Sequence, residues 1–203
     1  MRSTAGHEAR VTPGGLIEHY EAALGPLDGG WTQTSAGVPL LFTLLRFPAA
    51  PMPGAVTYAT AGLSDRTLRR PGGGLLRQEL VISCYDRFAG GEVAELLHAV
   101  GAEMLERGKV LSRGQVLGPA GALVPATSLT ALYVAMPVVF PDRLYTYSGS
   151  SPETVIAWLV PISTEEAGTV RAHGWSEFEG FLEAQDPDLF DLHRPSVFCG
   201  EPG

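Results

Sequence analysis

Ser64 and Asp65, with His98 or His173 as a third member, are the residues whose types would suit acyl transfer: a hydroxyl nucleophile, a carboxylate and an imidazole base. Such a set needs a mutual geometry that these positions do not encode, and no local motif orders them. The serines of residues 148–151 lack the Gly-x-Ser-x-Gly pattern of a nucleophile elbow. Arg-Arg-Pro-Gly-Gly-Gly at 69–74 resembles a phosphate loop, yet it lacks the Gly-Lys-Ser/Thr ending and precedes a strand, so it reads as a hairpin loop. Asp186, Asp188 and Asp191 do not have the spacing of a calcium loop, and side-chain-to-backbone turn bonding explains them more simply. His19 has no second ligand at helical spacing, and Cys84 and Cys199 form neither a metal-ligand spacing nor a disulfide framework, so the expectation is two reduced thiols and no metal or cofactor.

The elements that would position these groups centre on two strands, residues 55–65 and 78–84. In the first, Val56, Tyr58 and Thr60 alternate with smaller residues until Gly-Leu-Ser-Asp at 62–65 breaks the run; in the second, Leu80 and Ile82 oppose Val81 and Ser83. Ahead of them, Leu16, Ile17, Tyr20 and Leu24 predict a short amphipathic helix ended by Gly25-Pro26. Gly29-Gly-Trp31 reads as a turn, and residues 40–47 as a strand apolar on both faces, hence inside a covered sheet, with a possible edge for strand addition near Trp31 to Phe47. Residues 91–108 are the longest predicted helix. Its stripe of Val93, Leu96, Leu97, Val100, Met104 and Leu105 reads as core, Gly108 as its left-handed cap, and Gly101 as tolerable only where packing demands a small residue. Residues 109–127 read as irregular or hairpin structure, 129–136 and 154–162 as buried strands. Ser163 to Glu166 forms a capping box opening a helix to about His173, and a second helix from Trp175 carries Trp175, Phe178, Phe181 and Leu182 on one packing face. Val197 and Phe198 are expected to dock the tail.

With 203 residues, 45% hydrophobic and only 18% charged, the chain has enough apolar material for one domain without staples. The formal charge of −8 excludes a general attraction to nucleic-acid phosphates or anionic lipid and favours a basic partner. An N-terminus without an apolar signal region, and the lack of about eighteen consecutive apolar residues, give a cytoplasmic expectation with no membrane span. The expected organisation is a flexible segment 1–12, one domain over 13–198 and a tail 199–203.

Three stretches in order carry a resemblance: Tyr58 to Asp65 before Glu79-Leu-Val-Ile, the helix with Ala94-Glu-Leu, and Trp158-Leu-Val-Pro-Ile followed by Glu165-Glu-Ala. Together they resemble the suppressor of fused domain family over nearly the whole chain. The resemblance implies an α/β domain of the α+β type, with a mixed, largely antiparallel central sheet flanked by helices, acting by protein binding rather than catalysis. Animal members hold a transcription factor; stand-alone bacterial members resemble immunity proteins that neutralise polymorphic toxins. Animal members grip their partner with a tyrosine on the long helix and an acidic residue in the turn after it, whereas the matching positions here are Glu103 and Gln115. The second domain that completes their groove has no room in this chain, so their particular partner is not implied.

The expected function is therefore a non-catalytic protein-binding domain, an immunity protein whose acidic charge suits a basic toxin. The expected contacts are Ser64 and Asp65 in the motif turn, Glu103 and Gln115 by matching position, and Tyr145 and Tyr147, since tyrosines are favoured interface anchors. The competing expectations are a small hydrolase built on Ser64, Asp65 and a histidine, and a regulatory subunit unrelated to toxins. Monomer or weak homo-oligomer is the expected state.

Overall fold

A computed structural model describes residues 15–34 and 37–198; the expectations for 1–12, for the 199–203 tail and for Cys199 lie outside the described residues. In chain order the elements are α1 (Leu16–Leu24), β1 (Gly29–Gln33), β2 (Pro39–Pro48), β3 (Ala55–Ala61), β4 (Leu68–Arg69), β5 (Leu75–Tyr85), α2 (Gly91–Arg107), β6 (Val116–Leu117), β7 (Ala131–Ala135), β8 (Thr146–Tyr147), β9 (Thr154–Ile162), α3 (Thr164–His173) and α4 (Trp175–Gln185). The main sheet runs β1-β2-β3-β5-β9-β7-β6, with β4 and β8 as short additions to β5 and β9. Its pairings are antiparallel except β5 with β9, which is parallel. The expected mixed, largely antiparallel sheet flanked by helices is the fold observed.

Side-chain alternation divides the apolar residues between two cores. On one face Leu44, Tyr58, Leu80, Ile82 and Leu159 pack under α2, which contributes Val93, Leu97, Val100 and Met104. On the other, Leu45, Phe47, Val81, Tyr133 and Trp158 meet α1, α3 and α4. Central strands covered on both sides must be apolar throughout, which is why β9 reads as an almost unbroken hydrophobic run.

Gly101 sits at the closest approach of α2 to the sheet. A Cβ there would stand 2.5 Å from Phe42 Cζ and 3.2 Å from Leu63 Cδ1, both side chains being buried. Gly101→Ala is expected to lower stability by about 1–3 kcal/mol through overpacking, despite the roughly 1 kcal/mol that alanine gains at an open helix position. Chemical denaturation checks this; a midpoint at or above the parent's would mean that the Phe42 ring moves aside.

Gly29 to Trp31, read as a turn, instead belong to the edge strand β1, in which Trp31 lies opposite Leu44. The glycines conceal a strand because they contribute backbone pairing but no alternation. Trp175 also departs from expectation. It opens α4 and remains 41% exposed, while Phe178 one turn on is buried. The Arg113 guanidinium covers the indole 4.1 Å from its centroid, a cation–π contact that occupies the ring without burying it. Val197 docks as expected, whereas Phe198 is 37% exposed and makes a T-shaped contact with Phe181.

Candidate functional site

Gly62-Leu-Ser-Asp65 turns immediately after β3, where Gly62 takes φ +114° and Leu63–Asp65 form a single 3-10 turn. The free N–H groups of this turn point at Glu79 from β5. Its Oε1 accepts from Gly62 N at 2.9 Å, Ser64 N at 2.9 Å and Ser64 Oγ at 2.6 Å, while Oε2 accepts from Thr60 Oγ1 at 2.5 Å. Burial pushes the Glu79 carboxyl above its ordinary value, outweighing the opposing pull of the four hydrogen bonds. Arg77 then closes the turn by donating from Nη1 to the Ser64 carbonyl.

This arrangement fixes the turn at the end of a central strand. The Ser64 hydroxyl gives its proton to a carboxylate already shared by three other donors, which makes it a tie rather than an activated nucleophile. Neither histidine of the hydrolase reading engages it. His98 packs its ring 5.1 Å from that of Phe42, its Nε2 unbonded among the described residues, and His173 lies 3.7 Å from Glu177 at the α3–α4 corner. Asp65 is exposed beside the turn.

The other candidates lie elsewhere. Glu103 is half-buried on α2 and pairs with Arg107 at 2.5 Å. Gln115 is half-buried beyond α2, its Oε1 accepting from Ser112 N at 3.2 Å. Tyr145 and Tyr147 flank α1 on the opposite core: the Tyr147 ring lies 5.3 Å from that of His19, and its hydroxyl fills the space where a Cβ on Gly15 or Gly149 would stand. Burial pushes the His19 imidazole below its ordinary value and raises the Tyr145 phenol, with Asp142 adding to the second effect. Both tyrosines remain half-buried.

Two pairings made by buried polar side chains were not predicted from the sequence. Gln78 bonds both ways to the Leu111 backbone, donating from Nε2 at 3.0 Å and accepting at 2.8 Å, and so stitches the segment after α2 to β5. Glu166 is fully buried, and Arg194 meets it in two parallel bonds of 2.6 and 2.8 Å. The signal for Glu79 and Gln78 was present: charged or amide residues inside an otherwise apolar central strand need buried partners. Among the described residues no three His, Cys, Asp or Glu side chains gather as a metal would require, and no helix is long and apolar enough to cross a membrane.

A mixed sheet with helices on both faces, and a Gly-Leu-Ser-Asp turn tied to a buried strand carboxylate, make this a single-domain α/β protein. The family model for suppressor of fused protein (SUFU) matches residues 41–195, and the chain belongs to that family. Among solved structures it is similar to the suppressor of fused homolog of Neisseria gonorrhoeae FA 1090, at 18% identity and a TM-score of 0.72, covering 91% of this chain and 96% of that one. The Sufu–Fu complex matches at 17% identity and TM-score 0.55, covering 77% of each chain. Drosophila Suppressor of Fused matches at 18% identity and TM-score 0.59, covering 77% of this chain but only 42% of that one. No curated protein matches the sequence.

Proposed function

We propose that this chain is a non-catalytic protein-binding domain whose partner is basic, and that it serves in the cytoplasm as an immunity protein masking a toxin. The observation that carries the reading is family membership together with a solved family structure held in complex with a protein, Fu. The match to a bacterial homolog over 96% of its length supports binding by a single domain of this fold. A formal charge of −8 steers a basic protein toward the chain and is of no use in attracting nucleic acid. Ser64, Asp65, Glu103, Gln115, Tyr145 and Tyr147 are the proposed contacts, each with some accessible surface, and Ser64 also shapes the turn that presents Asp65.

The test is affinity purification of the tagged chain from its host in mild salt, followed by expression of whatever protein co-purifies in near-equal amount. A basic protein that arrests growth alone and is harmless beside this chain is the expected result. A stoichiometric partner without toxicity would leave protein binding and remove the immunity role; no stoichiometric partner at low or moderate salt would remove both.

A further inference from the structure

An open cleft of about 450 Å³ lies at the end of the sheet between the loop after β2, the segment after β7 and the turn after α4. Its size falls in the range of about 300–1,000 Å³ typical of sites that take a ligand group. Phe190 forms the floor, only 6% exposed and wedged against Trp158 and Tyr85 with ring centroids 6.2 Å away in each case. Met52 and Val139, 39% and 40% exposed, rise as apolar walls that no element covers among the described residues. The turn is held in place rather than loose: Tyr85 N donates to Phe190 O at 3.0 Å, Tyr85 Oη to Asp188 Oδ2 at 2.7 Å, and Phe190 N to Asp188 Oδ1 at 3.1 Å.

The charge at this cleft has one sign. Asp186 and Asp188 line it, and among the described residues no lysine or arginine does. Asp188 takes its hydrogen bonds from neutral donors, and Asp186 makes no ion pair among the described residues, so neither charge is neutralised. The nearby cation, Arg87, lies 4.9 Å over the Tyr85 ring and is paired at 2.9 Å with Asp191, outside the lining. A rigid apolar floor beneath two unpaired carboxylates selects a group that is itself apolar with a cation beside it. A free anion or an acidic segment would be repelled, and a purely apolar one would leave both carboxylates without a counter-charge.

We propose that this cleft is the docking site for a surface loop of a basic partner protein, one that inserts an apolar side chain with an arginine or lysine next to it. The proposal rests on the protein-binding reading above and deepens it by naming the surface. It adds a contact to those proposed at the Gly62–Asp65 turn, Glu103, Gln115, Tyr145 and Tyr147, none of which lines the cleft.

The probe is a capped Gly-Arg-Leu-Arg-Gly peptide, compared with Gly-Glu-Leu-Glu-Gly and Gly-Arg-Ser-Arg-Gly, titrated into the full chain carrying labelled methyl groups. Saturable shifts at the Met52 and Val139 methyls with the first peptide only are the expected result. Asp186→Asn, a substitution on an exposed side chain, should weaken that binding about fivefold at low salt, and Met52→Glu should abolish it. No shift at these methyls, or equal shifts with the acidic peptide or the serine peptide, would overturn the assignment. A whole partner that Met52→Glu still holds as tightly as the parent would also overturn it while leaving the protein-binding reading standing. Failure of the parent to hold any partner would instead strike at that reading.

Discussion

Arg194→Ala is expected to lower folding stability by about 3–5 kcal/mol, the range for removing one partner of a buried ion pair. The guanidinium is 3% exposed and satisfies more than its counter-ion: Nη2 also donates to Pro161 O and Nη1 to Pro195 O, each at 3.1 Å. Glu166 in turn accepts from Ser163 N at 2.8 Å and Val197 N at 2.9 Å, so one carboxylate caps α3 and anchors the tail. Alanine would strand that carboxylate in the core without its cation, which is where most of the cost arises. Urea unfolding measures the loss, and double substitution isolates the pair: Arg194→Met with Glu166→Leu should cost less than the two single losses added together. A single substitution that costs under about 1 kcal/mol would mean that water reaches Glu166 and the pair behaves as a surface one.

The capping box at Ser163 to Glu166 was legible in four residues because both of its bonds are local. That the same glutamate would also receive Arg194 was not, since 28 residues separate them and nothing in either neighbourhood names the other. The same division runs through the rest of the chain. Unbroken apolar runs marked β2 and β9, period-two alternation β3 and β5, and helical spacing α2, because each buries a continuous apolar face. It failed at β1, whose glycines carry no side-chain pattern, and at β6, a two-residue strand whose existence depends on β7 arriving beside it. Ser64 and Asp65 were legible as a turn, yet the carboxylate that organises it belongs to a strand whose backbone pairs alongside β3, fifteen residues on from Ser64. The Met52–Val139–Phe190 cleft was not legible at all: its walls come from three separate segments, and each residue in isolation looks like ordinary loop or core.

Glu79→Ala should cost about 3 kcal/mol, because it leaves the part-buried Gly62 N, Ser64 N and Ser64 Oγ without their acceptor at about 1 kcal/mol each, the low end of the range for a group left unpaired. Glu79→Gln should cost less than about 1 kcal/mol. Its Oε1 can keep the three donors of the turn, and its amide can donate to Thr60 Oγ1, whose own proton then turns to Leu80 O at 3.5 Å. The two substitutions also separate in their pH dependence. Burial raises the folded-state pKa of Glu79 above the ordinary 4.5, so over the interval between those values the folded chain holds a proton that the unfolded chain has released. That contribution is whole below about 4.5 and is lost as pH rises through the folded-state value, so the parent should lose stability with rising pH across this window. Glutamine cannot ionise, and the Glu79→Gln profile should lack that descent, leaving the variant closest to or above the parent at the alkaline end. An unchanged slope in Glu79→Gln would assign the titration to another group. An alanine variant as stable as the parent would show that the turn after β3 stands without its carboxylate, and that Ser64 is held by the backbone alone.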